Sequence, residues 1–139
     1  MTKKTKFSAF SFEGFVITES HIVRNPKEQG VLNVDINPSG EYIIKEKSFN
    51  LTLEIKVYDD NSSFEAIIKT QSSFKFKENV DEKDLHNYFY VNASAIVFPY
   101  IRSYISALTA LSGLKTVTIP TMNLIGLSNQ LKDNTEIIK

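Results

Sequence analysis

The chain has no cysteine, which excludes disulfide bonds, thiolate nucleophiles and thiolate metal ligands from this sequence. Its two histidines, His21 and His86, lie far apart along the chain, and a metal site needs several protein ligands. The five glycines form neither a G-x-G-x-x-G pattern nor a P-loop, and no G-x-S-x-G motif is present. We therefore expect no metal, no cofactor and no enzymatic activity.

The chain also lacks an excess of charge and a long apolar run. Sixteen basic residues balance sixteen acidic residues, whereas nucleic acids and anionic membrane surfaces attract proteins with excess positive charge. No apolar run approaches the ~18 residues of a membrane-spanning helix. The basic N-terminus, residues 1–6, is not followed by the apolar region of a secretion signal. We expect no nucleic-acid partner, no membrane insertion and a cytoplasmic location.

The first half of the chain instead contains alternating apolar and polar residues, which are typical of half-buried strands. Every second residue is apolar over 49–57, turn-forming residues follow at 59–62, and a second alternating segment covers 64–76. The two segments predict a long antiparallel hairpin. A shorter strand is predicted at 32–36, before a loop at 37–40.

Another strand is predicted between residues 7 and 23, where aromatic and β-branched residues are frequent. The second half has helical spacing instead, shown by Ala93, Val97, Ile101, Tyr104, Leu108 and Leu111. Pro99 should start or kink this helix. Leucines at 124, 127 and 131 predict a short helix before a polar tail. Strands first and helices last predict one α+β domain over residues 1–139, with an antiparallel sheet.

One motif adds a family resemblance. Phe98-Pro99-Tyr100-Ile101-Arg102 resembles the Phe-Pro-Tyr-x-Arg sequence that opens the long helix of SecB proteins, a family of protein-export chaperones. The segment 117–124 is similar to the family's post-helix segment, in which alternating apolar residues precede a proline and an asparagine. The segment 32–37 fits the family's second strand, and the order of elements agrees over nearly the whole chain.

The resemblance implies a four-stranded antiparallel sheet, covered on one face by a long helix and a shorter C-terminal helix. It also implies self-association as a dimer of dimers, a homotetramer with the long helices at the interface. The family motif and this helix interface comprise Phe98, Pro99, Tyr100, Arg102, Ser106 and Thr109. The stripe of Arg102, Ser106 and Thr109 would meet a partner subunit, and a solvated face is the alternative.

The function that the resemblance implies is that of a holdase. Family members bind unfolded polypeptides in apolar grooves and pass them to the motor SecA, without covalent chemistry or a bound nucleotide. For this chain we expect unfolded or nascent polypeptides as clients, kept competent for export. The predicted client-binding residues are Leu32, Val34, Ile36, Tyr42, Ile44, Met122 and Leu124, with core packing as the alternative role of each.

Two features weaken the case for SecA as a partner. The family engages SecA through acidic residues on the exposed sheet face and through a C-terminal tail. Glu19 supplies one acid, but Ile67 stands where the hairpin should supply another, and residues 132–139 are mixed in charge.

SecB-like proteins also serve as dedicated chaperones of antitoxins, which is an alternative function here. A third hypothesis, from another class, is a module that binds a small apolar ligand between the sheet and the long helix.

Overall fold

The computed structural model describes residues 10–77, 81, 84 and 86–139. Strands in these ranges are β1 (Phe10–Arg24), β2 (Leu32–Ile43), β3 (Ser48–Asp59), β4 (Phe64–Phe76) and β5 (Thr135–Ile138). They form a sheet in the order β1-β4-β3-β2-β5. The pairs β1–β4, β4–β3 and β3–β2 are antiparallel, whereas β5 lies parallel to β2. The predicted hairpin is confirmed as β3 and β4.

The fifth strand corrects the expected four-stranded antiparallel sheet. Residues 135–138, predicted as part of a polar tail, pair in register with residues 40–43 of β2. The backbone N–H of Ile44 donates to the carbonyl oxygen of Ile138 at 2.9 Å. Three of the four residues of β5 are β-branched, which favours the extended conformation. A strand of four residues is too short for its periodicity to reveal it.

The strand β2 also continues through residues 37–40, which the sequence predicted as a loop. The N–H of Gly40 donates to the carbonyl oxygen of Asn134 at 3.2 Å, so even-numbered residues of β2 point their backbone groups away from β3. Pro38 occupies one of these even positions. Its missing N–H therefore removes no hydrogen bond to β3, and the strand passes through the proline without interruption.

The helices follow the hairpin in the predicted order. A π-helical segment, Asn87–Ala93, leads directly into α1 (Ser94–Ala110), and a 3₁₀ turn, Ile125–Leu127, leads into α2 (Ser128–Asp133). Pro99 lies inside α1 rather than at its start. Because proline has no N–H, the carbonyl oxygen of residue 95, one turn earlier, has no donor within the helix. Both Pro99 and residue 95 are exposed, so water can bind this oxygen. Within the described ranges no helix is long and apolar enough to cross a membrane.

The core lies between α1 and one face of the sheet, and it is most complete over β3. The fully buried side chains of β3 are Phe49, Leu51, Leu53, Ile55 and Val57, and those of α1 include Val97, Ile101 and Ile105. At one end of the sheet, the ring of Phe49 stacks on that of Phe89 with centroids 4.3 Å apart. Gly40 makes this packing possible, since a Cβ at residue 40 would lie 2.6 Å from Cζ of Phe49.

Candidate functional site

Apolar side chains of β2 are partly exposed on the face of the sheet that carries the helices. In the sheet register Val34 lies opposite Val57, and Ile36 lies opposite Ile55. Both residues of β3 are fully buried, whereas Val34 and Ile36 are only half-buried. The helical layer thus covers β3 but only partly covers β2. We call three half-buried apolar residues on this face of β2 the β2 shelf: Leu32, Val34 and Ile36. Met122 and Leu127, from the chain after α1, are half-buried against the same core.

Three polar side chains of α1 hold the segment that leads to Met122. Thr109 Oγ1 accepts a hydrogen bond from the N–H of Val117 at 2.9 Å and donates to the carbonyl oxygen of Ile105 at 2.8 Å. Arg102 Nε donates to the carbonyl oxygen of residue 119 at 2.9 Å, and Ser106 Oγ donates to that of Val117 at 3.3 Å. These bonds fix the chain after the helix against α1.

This arrangement bears on the predicted helix interface. The hydrogen bonds of Arg102, Ser106 and Thr109 connect parts of the same chain, and Thr109 is fully buried. A contact of this stripe with a partner subunit stays a prediction. The motif residue Phe98 is buried in the core, while Pro99 and Tyr100 are exposed.

The predicted client-binding residues separate into two groups. Leu32, Val34 and Ile36 lie on one face of β2, on the β2 shelf, and Met122 is half-buried against the same core. Of the remaining three, Leu124 is a core residue with 5% exposure, and Ile44 lies in the turn after β2 with 42% exposure. Tyr42 lies on the same face of β2, opposite Phe49, and packs edge-on to the ring of Phe89 with centroids 5.2 Å apart. Leu127, also half-buried against this core, was not among the predicted residues, because its spacing from Leu124 indicated only a helix.

A buried carboxylate fixes the end of β2 at which the shelf begins. Asp59 lies opposite Leu32 and accepts hydrogen bonds from the N–H groups of Gly30 (2.7 Å), Ser63 (2.8 Å) and Phe64 (3.0 Å), and from the hydroxyl of Ser63. Burial raises the pKa of Asp59, but these hydrogen bonds outweigh burial and lower the pKa from 3.8 to about 2. The ionised carboxylate thus ties the loop before β2 to the turn between β3 and β4.

The opposite face of the sheet is polar. A concavity of about 540 Å³ on this face is lined by residues that include Ser39, Glu41, Asn50, Thr52, Gln71 and Ser73. A second concavity, of about 530 Å³, lies beside Arg24 and Lys115. Neither is an enclosed apolar cavity between the sheet and α1, which is what a small-ligand binding module would need. The described residues contain no group of three or more acidic, histidine or cysteine side chains that could hold a metal ion.

Comparisons with known proteins agree with this architecture. Among solved structures, the chain is similar to a SecB-like chaperone from Mycobacterium tuberculosis, solved in complex with a ChAD peptide from the HigA1 antitoxin. That match has a TM-score of 0.68 at 15% sequence identity and covers 82% of this chain and 88% of the other.

A protein of unknown function from Streptococcus agalactiae matches with a TM-score of 0.42 at 9% identity, over 81% of this chain and 97% of that one. No curated protein matches the sequence. The family model described as preprotein translocase subunit SecB matches residues 7–134, which is nearly the whole chain. The chain therefore belongs to the SecB family.

Proposed function

We propose that this protein is a holdase that binds unfolded polypeptides on the β2 shelf and keeps them from folding or aggregating. Membership of the SecB family supports a chaperone role and a protein without enzymatic activity. The observation that carries the proposal is the change in burial across the sheet, from fully buried residues on β3 to half-buried residues on β2. We place the activity in the cytoplasm, where chains await export.

The shelf has the physical properties that a holdase needs. Apolar burial is non-directional, so an open apolar margin attracts any chain that exposes apolar side chains, without reading its sequence. A folded protein has already buried most of these side chains and offers little to such a surface. Because the shelf follows a strand, its side chains lie in a row that suits an extended segment rather than a compact one.

Two variants of adjacent residues on β2 test this proposal. Ile36→Glu places a charge on the shelf, whereas Asn37→Glu places the same charge on the exposed polar face of the same strand. We expect Ile36→Glu to weaken binding of reduced, carboxymethylated α-lactalbumin by about tenfold or more, because the client would desolvate the charge. Asn37→Glu should bind as the wild type does. Equal affinities of the two variants, measured by fluorescence anisotropy, would refute the shelf as the binding surface.

The structure favours a dedicated client over delivery to SecA. Glu19 lies on the polar face next to Lys69, which itself lies next to Glu54, so this acid is flanked by a basic residue. Ile67 lies on the same face between His21 and Lys56. Residues 135–138 are paired with β2 as β5. We therefore propose that one client segment, of the kind of the antitoxin peptide bound by the Mycobacterium tuberculosis protein, binds more tightly than other unfolded chains do.

A titration against several unfolded polypeptides separates the two kinds of chaperone. A dedicated chaperone binds one client segment at least about tenfold more tightly than unrelated unfolded chains, whereas a general holdase binds all of them alike. Purified SecA serves as the second analyte in the same experiment. Tight binding of SecA together with equal affinities for all clients would contradict the dedicated role.

We also propose that the chain self-associates as a dimer of dimers through the exposed side of α1. Tyr100 is 50% exposed, and Ser103 and Ala107 continue its stripe along the helix. The ring centroid of Tyr100 lies 5.6 Å from that of Phe12 and 5.4 Å from that of Phe15, both in β1. The helix and the strand thus contribute aromatic rings to the same surface. Small side chains at 103 and 107 permit a second helix to approach closely.

A further inference from the structure

A positively charged concavity lies at the end of the sheet where β1 finishes. It has a volume of about 530 Å³ and lies between the loop that follows β1 and the chain that follows α1. Its lining includes three basic side chains, Arg24, Lys27 and Lys115, and one acidic side chain, Glu28. We call it the Arg24 concavity. Its volume is within the range of about 300–1,000 Å³ that is typical of ligand sites. Among the described residues that line it, none belongs to the β2 shelf.

Arg24 is held in place by the last turn of α1 and by the chain after it. Its guanidinium donates to the hydroxyl of Ser112 at 2.8 Å and to the carbonyl oxygen of Lys115 at 2.6 Å. A longer bond, of 3.4 Å, reaches the carbonyl oxygen of Thr109. Its Cζ also lies 5.7 Å from the centroid of the Phe64 ring. A cation fixed by these contacts loses little conformational freedom when it meets a ligand.

The charge of Arg24 has no carboxylate opposite it. All three of its hydrogen-bond acceptors are neutral oxygen atoms, and its buried Nε has no acceptor. The carbonyl of Thr109 belongs to the negative end of the α1 dipole, which compensates the charge only in part. Over residues 10–77, 81, 84 and 86–139, no salt bridge involves Arg24, Lys27 or Lys115. A partly buried cation without a counter-charge favours an anionic ligand.

The rest of the lining indicates the kind of anion. Leu114, 39% exposed, and Pro26 give the concavity an apolar part beside its basic side chains. The described part of the lining contains no aromatic ring, whereas proteins that bind single-stranded nucleic acids stack the bases on such rings. Three basic side chains with Glu28 among them are also a weak match for a duplex or an anionic membrane. A carboxylate next to an apolar side chain, as in an acidic polypeptide segment, matches this lining better.

We propose that the Arg24 concavity binds an acidic segment of a partner polypeptide. A carboxylate of that segment lies between Arg24, Lys27 and Lys115, and an adjacent apolar side chain packs against Leu114. The proposal goes beyond the holdase function and does not depend on it, since the β2 shelf selects apolar side chains and the concavity selects negative charge. With two such sites, the chain would hold an unfolded client and an acidic partner at the same time.

Charge reversal at two exposed lysines tests the proposal. The side chains of Lys27 and Lys115 bond to no other described residue, whereas Arg24 supports the end of α1 and is left unchanged. The probe is a short peptide of alternating glutamate and leucine that carries a neutral fluorophore. We expect Lys27→Glu/Lys115→Glu to weaken its binding by about tenfold or more, because two attractive charges become repulsive. Lys45→Glu, in the turn at the opposite end of β3, reverses an exposed lysine as a matched control and should bind as the wild type does.

Two comparisons assign the binding to negative charge and to this concavity. The same peptide with glutamine in place of glutamate should bind the wild-type chain at least about tenfold more weakly. Ile36→Glu, on the β2 shelf, should bind the glutamate peptide as Asn37→Glu does. Weaker binding in Ile36→Glu than in Asn37→Glu, with no loss in the double lysine variant, would place the peptide on the shelf and overturn the proposal.

Two competing ligands test the class of partner. A single-stranded oligonucleotide and phosphatidylserine vesicles are titrated against the wild-type chain and the double lysine variant. Tighter binding of either ligand than of the glutamate peptide, with its loss in the variant, would overturn a polypeptide partner. Equal peptide affinities of the wild type, Lys45→Glu and the double lysine variant would overturn the site itself. The holdase function has its own assay with unfolded clients, so either proposal can fail alone.

Discussion

Replacing Thr109 by valine tests how the segment carrying Met122 is held. Valine has nearly the shape of threonine but lacks the hydroxyl that accepts the N–H of Val117 at 2.9 Å. Both residues are fully buried, so water cannot replace the lost acceptor. An unsatisfied buried N–H costs about 1–3 kcal/mol. The bond from Thr109 to the carbonyl of Ile105 adds little, because such a carbonyl already accepts within the helix.

The assay is amide exchange at Val117 together with urea denaturation. The free energy of unfolding of the Thr109→Val variant should be lower by about 1–3 kcal/mol, and amide exchange at Val117 should accelerate by about fivefold to 150-fold. Thr109→Ser is the matched control, because it loses a buried methyl group, worth about 1 kcal/mol, but keeps the hydroxyl. We expect the Val117 amide to stay protected from exchange in the serine variant and to lose this protection in the valine variant. Full protection of Val117 in the valine variant would refute the reasoning.

Three further predictions concern the fold and the assembly. The pKa of Asp59 is about 2 in the folded chain against 3.8 ordinarily, so its stabilising effect is complete above about pH 5 and is lost as the pH falls toward 2. The urea midpoint of Asp59→Asn should therefore fall less over this range than that of the wild type, and parallel curves would contradict the assignment. Gly40→Ala should destabilise the chain by about 1–3 kcal/mol in thermal unfolding, because its Cβ would lie 2.6 Å from a ring atom of Phe49. Gly126→Ala, with nothing within 4 Å, should change stability by less than about 0.5 kcal/mol, and equal effects of the two would argue against the Phe49 contact. Ser103→Arg should reduce the sedimentation coefficient if α1 mediates self-association, and an unchanged assembly would exclude this face of the helix.

The sequence predicted the parts of the fold in which a repeating pattern coincides with burial. Alternation over residues 49–57 is strict because β3 is buried in the core on one face and is polar on the other. The same reasoning failed at Pro38, since proline and its neighbours indicate a turn unless the direction of each N–H is known. It also missed β5, whose pairing with β2 depends on residues nearly a hundred positions away.

The candidate site was predictable only in part for a related reason. Alternation indicates which side chains of β2 share a face, and this placed Leu32, Val34 and Ile36 together. It cannot indicate how far the helical layer extends over that face, so Leu124 was assigned to the groove although it is core. The role of Thr109 as an acceptor for Val117 carries no sequence signal, because a threonine within a helix ordinarily bonds its own backbone.

The central claim is that the chain binds unfolded polypeptides and not folded ones. The direct measurement is a fluorescence-anisotropy titration of the wild-type protein with α-lactalbumin in two forms, reduced and carboxymethylated or native, at matched concentrations. The account predicts saturable binding of the unfolded form and none of the native form. Binding of both forms with equal affinity, or of neither, would contradict it.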